Sequence, residues 1–449
     1  MVDKTSPTPP THGLFEEVLD VIGRLVWSIR VELAFASVPA ACYYGASRLV
    51  GLIAAGVVVG LALTLVFSIA PTRRFIARTY RAAHFRQRWA EALKAASIPA
   101  FRGRVFPARR VKPLPNGSFR FDLQVTGGVS VPEIASISES LAATLGARSV
   151  HVSRDARNAS IAHLTLLATD PFTARSYTSE LATSQVSNLW APITLGYDEV
   201  GSRVAVELAE RNFLIGGEPG AGKSVGLNVI TAAAALDPTV RLYLFDPKVV
   251  ELAPWSKCAD CFVTTDIDQA LRALYELRAE MDRRYGLLAE HGKRKVTWVF
   301  PDTAELIVVV IDELALYTTH PDKAKRDAFA AALRDLVARG RAAGVIVVAA
   351  TQKPAADTVP SSIRDLFSSR WAMRCTTREA SDTILGSGWA AKGYSAADID
   401  AATRGVGYLL HEGKEPWLMR ACYLTDDEVH AIAARAARIR EVREIPSHS

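Results

Sequence analysis

Apolar positions divide the chain into regions of different period. After a Pro/Thr-rich start at Met1–His12 that predicts disorder, Leu14, Phe15, Val18, Leu19, Ile22, Leu25, Val26 and Ile29 follow helical spacing. The spacing predicts an amphipathic helix, able to lie on a membrane surface or to pack on protein. Leu49–Ala70 then runs for 22 residues without a charge. At ~1.5 Å per residue this matches a hydrocarbon core of roughly 30 Å and predicts a transmembrane helix. Leu33–Ser47 is apolar but shorter, contains Pro39, and predicts a first span that turns back at Gly45–Arg48.

Beyond the apolar run the period alternates between strand and helix. Phe119–Thr126 and Ala162–Thr169 predict strands around a helix at Val131–Leu145. Further on, short continuous apolar runs at Asn212–Gly216, Leu242–Phe245, Leu306–Ile311 and Val345–Ala350 predict buried parallel strands. A hairpin at Gly407–Tyr423 and an Ala/Arg-rich helix near Asp426–Arg443 follow. The expected organisation is a tail and amphipathic helix at 1–31, membrane segments at 32–71, and a basic juxtamembrane stretch with a small α/β domain at 72–186. A nucleotide-binding α/β domain at 187–425 and a C-terminal helix and tail at 426–449 complete it.

Charge sharpens this picture. The net charge is only +6, yet Pro71–Arg120 holds thirteen Arg or Lys against one acid, Glu91, so the rest of the chain is net acidic. Arg73, Arg74, Arg78 and Arg81 directly follow the apolar run. The positive-inside rule therefore places the C-terminal part in the cytoplasm, on a cell-membrane anchor in contact with lipid. The five cysteines form no regular framework, which predicts a reducing compartment. Cys258 and Cys261 form a C-x-x-C without a second pair, read as two ordinary thiols rather than a zinc site.

The main chemical signal follows the strand at Asn212–Gly216. Gly217, Glu218, Pro219, Gly220, Ala221, Gly222, Lys223 and Ser224 spell G-x-x-x-x-G-K-S ahead of a helix predicted from Val225 to Leu236. In such a loop the glycines let backbone N–H groups curl around phosphates. The lysine reaches the β- and γ-phosphates, and the serine hydroxyl ligates Mg²⁺. ATP and Mg²⁺ are thus the expected cofactors. The strand at Leu306–Ile311 ends in Asp312-Glu313, at the edge where α/β sites form. Asp312 is expected in the Mg²⁺ shell and Glu313 as the base that polarises the attacking water, a pairing that favours hydrolysis. Gln352, at the end of the next strand, is placed to sense the γ-phosphate. Arg341 either acts on a neighbour's ATP as a trans finger or ends a solvated helix.

Around these residues the chain resembles the FtsK/SpoIIIE family of DNA translocases. The resemblance runs through GKSVGLNVI at Gly222–Ile230, FDPKVVEL at Phe245–Leu252, MDRRY at Met281–Tyr285, VVVIDELA, GRAAGVIVVAATQKP at Gly340–Pro354 and SDTILG at Ser381–Gly386. It implies a RecA-like P-loop domain behind a small α/β layer, assembled as a homo-oligomeric, hexameric ring around double-stranded DNA. It assigns Arg341 the trans-acting role and places Arg364 in a loop facing DNA. Asp382 stands where many members carry arginine, so no nucleotide-sensing role is carried over to that helix. The single P-loop, the short tail and the missing sequence-reading winged helix resemble the transfer proteins of actinobacterial conjugative plasmids. This implies conjugative transfer of DNA, with recognition left to a separate partner. Chromosome partition by the same chemistry, and protein movement by the related type VII secretion ATPases, are the alternatives.

Overall fold

The structure, a computed structural model, describes residues 30–68, 70–96, 101, 104–114, 117–169, 172, 176–296, 305–352, 354–355 and 358–444. The expected disordered start and amphipathic helix before residue 30 lie outside them. Two compact units make up the chain, Met1–Thr169 and Asp170–Ser449.

Among the described residues the first unit begins with three helices, α1 (Arg30–Val50), α2 (Leu52–Ser68) and α3 (Ala70–Ala96). The apolar run does not form the single helix expected over Leu49–Ala70. Gly51 adopts φ +85°, a left-handed conformation open to glycine, and the chain reverses there so that α2 lies against α1. The turn thus falls after Arg48 rather than at Gly45–Arg48, through which α1 continues unbroken. Among the described residues no helix is long and apolar enough to cross a membrane. α2 has 17 residues, none of them charged, and Leu52, Ile53 and Leu61 on it are exposed.

The rest of this unit is a four-stranded antiparallel sheet formed by β1 (Arg109–Pro113), β2 (Phe119–Gln124), β3 (Ser149–Arg154) and β4 (Ile161–Leu167), in the order β1-β2-β4-β3. α4 (Val131–Ser136) and α5 (Ser138–Leu145) replace the one helix expected across Val131–Leu145, with a break at Ile137. A capping box fixes the start of α4: Ser130 accepts from the N–H of Glu133, whose carboxylate receives the N–H of Ser130. Along α3 the buried Ala82, Phe85, Trp89 and Leu93 recur at helical spacing and meet Phe121, Leu123, Ile134 and Leu164 in the core. Arg78, Arg81, Arg86 and Arg88 remain exposed on the same helix.

The second unit is one sheet flanked by helices. Its strands are β5 (Tyr177–Thr178), β6 (Ile193–Asp198), β7 (Arg203–Val206), β8 (Phe213–Gly216), β9 (Val240–Phe245), β10 (Cys261–Val263), β11 (Leu306–Ile311), β12 (Val345–Thr351), β13 (Ser369–Met373), β14 (Val406–His411) and β15 (Trp417–Tyr423). The order is β10-β9-β11-β12-β8-β13-β14-β15-β6-β7, with β5 paired to β15. β10 to β13 along this order are parallel, and β14, β15, β6 and β7 extend the sheet antiparallel. All residues of β8, β11 and β12 are buried, as a parallel sheet covered on both faces requires.

α6 (Lys223–Leu236) and α12 (Asp426–Glu444) cover one face. α7 (Ile267–Glu290), α8 (Leu314–Thr318), α9 (Lys323–Arg339), α10 (Ser361–Arg364) and α11 (Arg378–Leu385) contribute to the core on the other. Two expected boundaries move. The division falls at Thr169/Asp170 rather than 186/187, because β5 joins the large sheet and Arg435 of α12 donates to the carbonyls of Leu181 and Ala182. Likewise α12 is no appendage: Val429, Ile432, Ala433 and Ala436 are in the core, and Arg440 donates to the carbonyl of Val240 at the start of β9.

Candidate functional site

The loop Gly217–Ser224 leaves the C-terminal end of β8 and enters α6 at Lys223. Gly220 and Gly222 take φ +77° and +100°. Gly222 has a second reason to be glycine: an added Cβ would stand 2.3 Å from the backbone nitrogen of Gly405. That neighbour is bonded to the loop, since the Gly405 N–H donates to the Ala221 carbonyl at 2.9 Å. On the other side the N–H of Glu218 donates to the Arg374 carbonyl at 3.0 Å, and the Glu218 carboxylate pairs with the Arg374 guanidinium. The loop is therefore clamped between the end of β13 and the turn before β14. Val225 and Gly226 donate their N–H groups back to the Gly222 carbonyl, while those of Lys223 and Ser224, at the very start of α6, are placed to meet an anion.

Lys223 is 7% exposed, and its ammonium donates to the Glu218 carbonyl at 3.2 Å. Burial lowers its pKa, opposed by the Glu313 and Asp312 carboxylates. Those carboxylates stand at the end of β11, two strands from β8 with β12 between. Asp312 is buried and its Oδ2 has no hydrogen-bond partner. Loss of solvent raises its pKa to about 7, an effect that the neighbouring Lys248 ammonium counters. A buried carboxylate oxygen without a donor, with the Ser224 hydroxyl at the start of α6, fits the hard oxygen ligation that Mg²⁺ demands.

Glu313 is held differently. Its carboxylate accepts from Thr351 Oγ1 at 3.0 Å, from the N–H of Gln352 at 3.2 and 3.1 Å through its two oxygens, and from the N–H of Ala315 at 3.3 Å. Lys248 Nζ lies 3.7 Å from its Oε2. The structure thus brings Lys223, Asp312, Glu313 and the Gln352 backbone into one cluster with the loop.

Arg341 is not part of this cluster. It precedes β12, whereas Gln352 follows it, and seven residues of strand at ~3.3 Å put the two ends roughly 20 Å apart. Its side chain is 54% exposed and lies 3.9 Å from Glu210, so it points toward nothing in its own P-loop. Arg364 is turned inward: its side chain is 14% exposed and its Nε donates to Asp365 at 2.9 Å. Asp382 accepts from the N–H groups of Gly388 and Ala390, which fixes the turn after α11.

Sequence reasoning missed Lys248, Arg374 and Gly405. Lys248 carried a signal in the D-P-K at Asp246–Lys248. The Asp246 carboxylate accepts from the N–H groups of Lys248, Val250 and Leu252 and so shapes the loop that brings Lys248 to Glu313. No local signal marks the other two, which meet the loop only through the order of strands.

Comparison with known proteins gives this geometry a family. The FtsK/SpoIIIE family pattern matches residues 175–305, from β5 through the P-loop and α7. The chain is 31% identical over 340 residues to the DNA translocase FtsK of Caldanaerobacter subterraneus, covering 70% of this chain and 44% of that one. Residues 175–305 thus carry an FtsK/SpoIIIE family domain. The DNA translocase FtsK of Pseudomonas aeruginosa is 27% identical over 350 residues, covering 70% of this chain and 42% of its own length. The chain thus spans less than half the length of these curated relatives. A solved structure of the pCW3 conjugation coupling protein TcpA, in a monomer form with ATPγS, shares the fold. It has a TM-score of 0.54 at 20% identity, over 81% of this chain and 99% of that one.

Proposed function

We propose that this protein is an ATP-driven translocase of double-stranded DNA, anchored in the cell membrane with its ATPase unit in the cytoplasm, and that it works in conjugative transfer. The observation that carries the enzymatic part is the buried cluster of Lys223, Asp312 and Glu313 at the carboxyl edge of a parallel sheet. Water adds its oxygen to the γ-phosphorus of ATP while the bond from that phosphorus to the bridging oxygen breaks and ADP departs. Glu313 accepts the proton released by the water. Lys223 offsets charge on the phosphates from within the loop. Ser224 and Asp312 would hold Mg²⁺, which when bound would neutralise phosphate charge. Because Gln352 donates its N–H to Glu313, any movement of the glutamate toward water is passed to the end of β12 and the segment beyond it.

The remaining parts rest on the family and on placement. A ring, hexameric in the family, places Arg341 at a neighbour's nucleotide, and its distance from its own loop suits that role. DNA enters as the substrate of the FtsK relatives. Direct DNA contact by Arg364 requires that it leave Asp365. The exposed apolar side chains of α2, with the arginines at the start of α3, support a membrane-inserted hairpin facing the cytoplasm. The likeness to a conjugation coupling protein favours transfer between cells.

The test is displacement of a triplex-forming oligonucleotide from the far end of a linear duplex. ATP-dependent stripping that Glu313→Gln abolishes supports translocation. ATP turnover without any stripping would refute it.

A further inference from the structure

Resting on the nucleotide reading above, one residue beyond the motif set bears on how the site tells ATP from ADP. Lys248 lies on the loop after β9, the strand next to β11, and its ammonium stands 3.7 Å from Glu313 Oε2. Its charge also acts on Lys223 and on Asp312. Lys223 and Lys248 thus share the site with the carboxylates of Asp312 and Glu313, and those of Asp246 and Glu251 add to its negative charge.

The loop that presents Lys248 is built at a cost. Val249, the next residue, sits at φ +54°, a conformation that β-branched side chains avoid. Three N–H groups on the Asp246 carboxylate hold it there. Strain kept beside a charged group that points into a cleft is characteristic of functional positions.

We propose that Lys248 is a positioning residue that pairs with Glu313 in the nucleotide-free site and moves to the γ-phosphate of an incoming triphosphate. A γ-phosphate carries more charge than one carboxylate and competes for the same ammonium. ADP brings no such competitor, so Lys248 stays with Glu313 and the glutamate remains bound between Lys248, Thr351 and Gln352. ATP removes one of these ties and frees the carboxylate to turn to water. Lys248 thereby makes release of the base depend on the presence of the group to be cleaved.

The experiment measures binding of Mg-ADP and of Mg-AMP-PNP, a non-hydrolysable triphosphate, to the full chain by displacement of a fluorescent ADP. Lys248→Met should weaken AMP-PNP roughly tenfold or more while leaving ADP within about twofold, since one charge-assisted contact is lost from the triphosphate alone. Lys248→Arg should restore most of the preference. Glu313→Gln, which leaves Lys248 without its anionic partner, should raise the preference for AMP-PNP over ADP several-fold, and should not do so once Lys248 is methionine. An unchanged AMP-PNP/ADP ratio in Lys248→Met overturns the proposal, whether both affinities fall together or neither moves. If Lys248→Met fails to fold, an unchanged ratio in Glu313→Gln overturns it instead. Should the wild-type chain bind neither nucleotide, or Lys223→Ala bind both as well as wild type, the nucleotide site itself is misassigned. That outcome is separate from failure of the switch.

Discussion

The carboxylate of Glu313, at the end of β11, receives the backbone N–H of Gln352, at the end of β12, through both of its oxygens at 3.2 and 3.1 Å. The proposed base for hydrolysis and the end of β12 are thus joined by a direct bond. In the proposed cycle Lys223 meets the phosphates and Glu313 meets the water, so the two should fail differently. Lys223→Ala removes the charge that meets the phosphates and should lose nucleotide binding. Glu313→Gln keeps a polar side chain of nearly the same shape and should bind ATP while hydrolysing it at least 100-fold more slowly. Equilibrium nucleotide binding and steady-state phosphate release on the two variants check this.

Asp312 sets a pH dependence. Its folded-state pKa, about 7, lies above the ordinary aspartate value of 3.8, so folding favours the protonated form. The stability from this group is complete below the ordinary value and lost as pH rises through about 7. The ligand-free protein should therefore lose stability between pH 5.5 and pH 8 on account of this residue. Asp312→Asn should flatten that loss and stabilise the protein at pH 8 by on the order of 1–3 kcal/mol. It should also abolish Mg²⁺-dependent turnover. Thermal melts at the two pH values, with and without Mg-ATP, read both effects.

Arg341 cannot serve the P-loop of its own chain across roughly 20 Å of strand. Arg341→Ala alone should reduce turnover by about 10³-fold, in the range for trans-acting arginines. Mixed with Glu313→Gln, it should recover activity at those interfaces where an intact arginine meets an intact glutamate. Turnover measured across mixing ratios should follow a curve above the sum of the two inactive variants; no recovery at any ratio contradicts the assignment.

The contact of Gly222 with Gly405 yields a structural prediction. Gly222→Ala puts a methyl group 2.3 Å from a backbone nitrogen and imposes φ +100° on alanine. It should cost about 1–3 kcal/mol and weaken nucleotide binding further than the stability loss explains, because the loop must leave its clamp. Melting and ATP binding on the same preparation separate the two.

Much of the site is legible in the chain because its signals are local. Phe213–Gly216, the glycine-rich loop and α6 are contiguous, and Leu306–Ile311 announces a buried strand that delivers Asp312 and Glu313. What remained hidden depends on sequence-distant neighbours. Lys248 reaches Glu313 because β9 and β11 pair, and Arg374 and Gly405 hold the loop because β13 lies beside β8 and β14 beside β13. No periodicity within those segments reports such adjacency. The apolar run misled in another way: Gly51, its third residue, converts one expected long helix into a turn between two. The start of the large unit was misplaced for a similar reason, as the two residues of β5 are too few to show a pattern.

The claim that joins these parts is that ATP cleavage at Glu313 is coupled to double-stranded DNA. Its most direct test is steady-state ATP hydrolysis by the full chain with no nucleic acid, with single-stranded DNA and with long linear duplex. The account predicts strong stimulation by the duplex alone, absent in Glu313→Gln. Equal rates under all three conditions would contradict it.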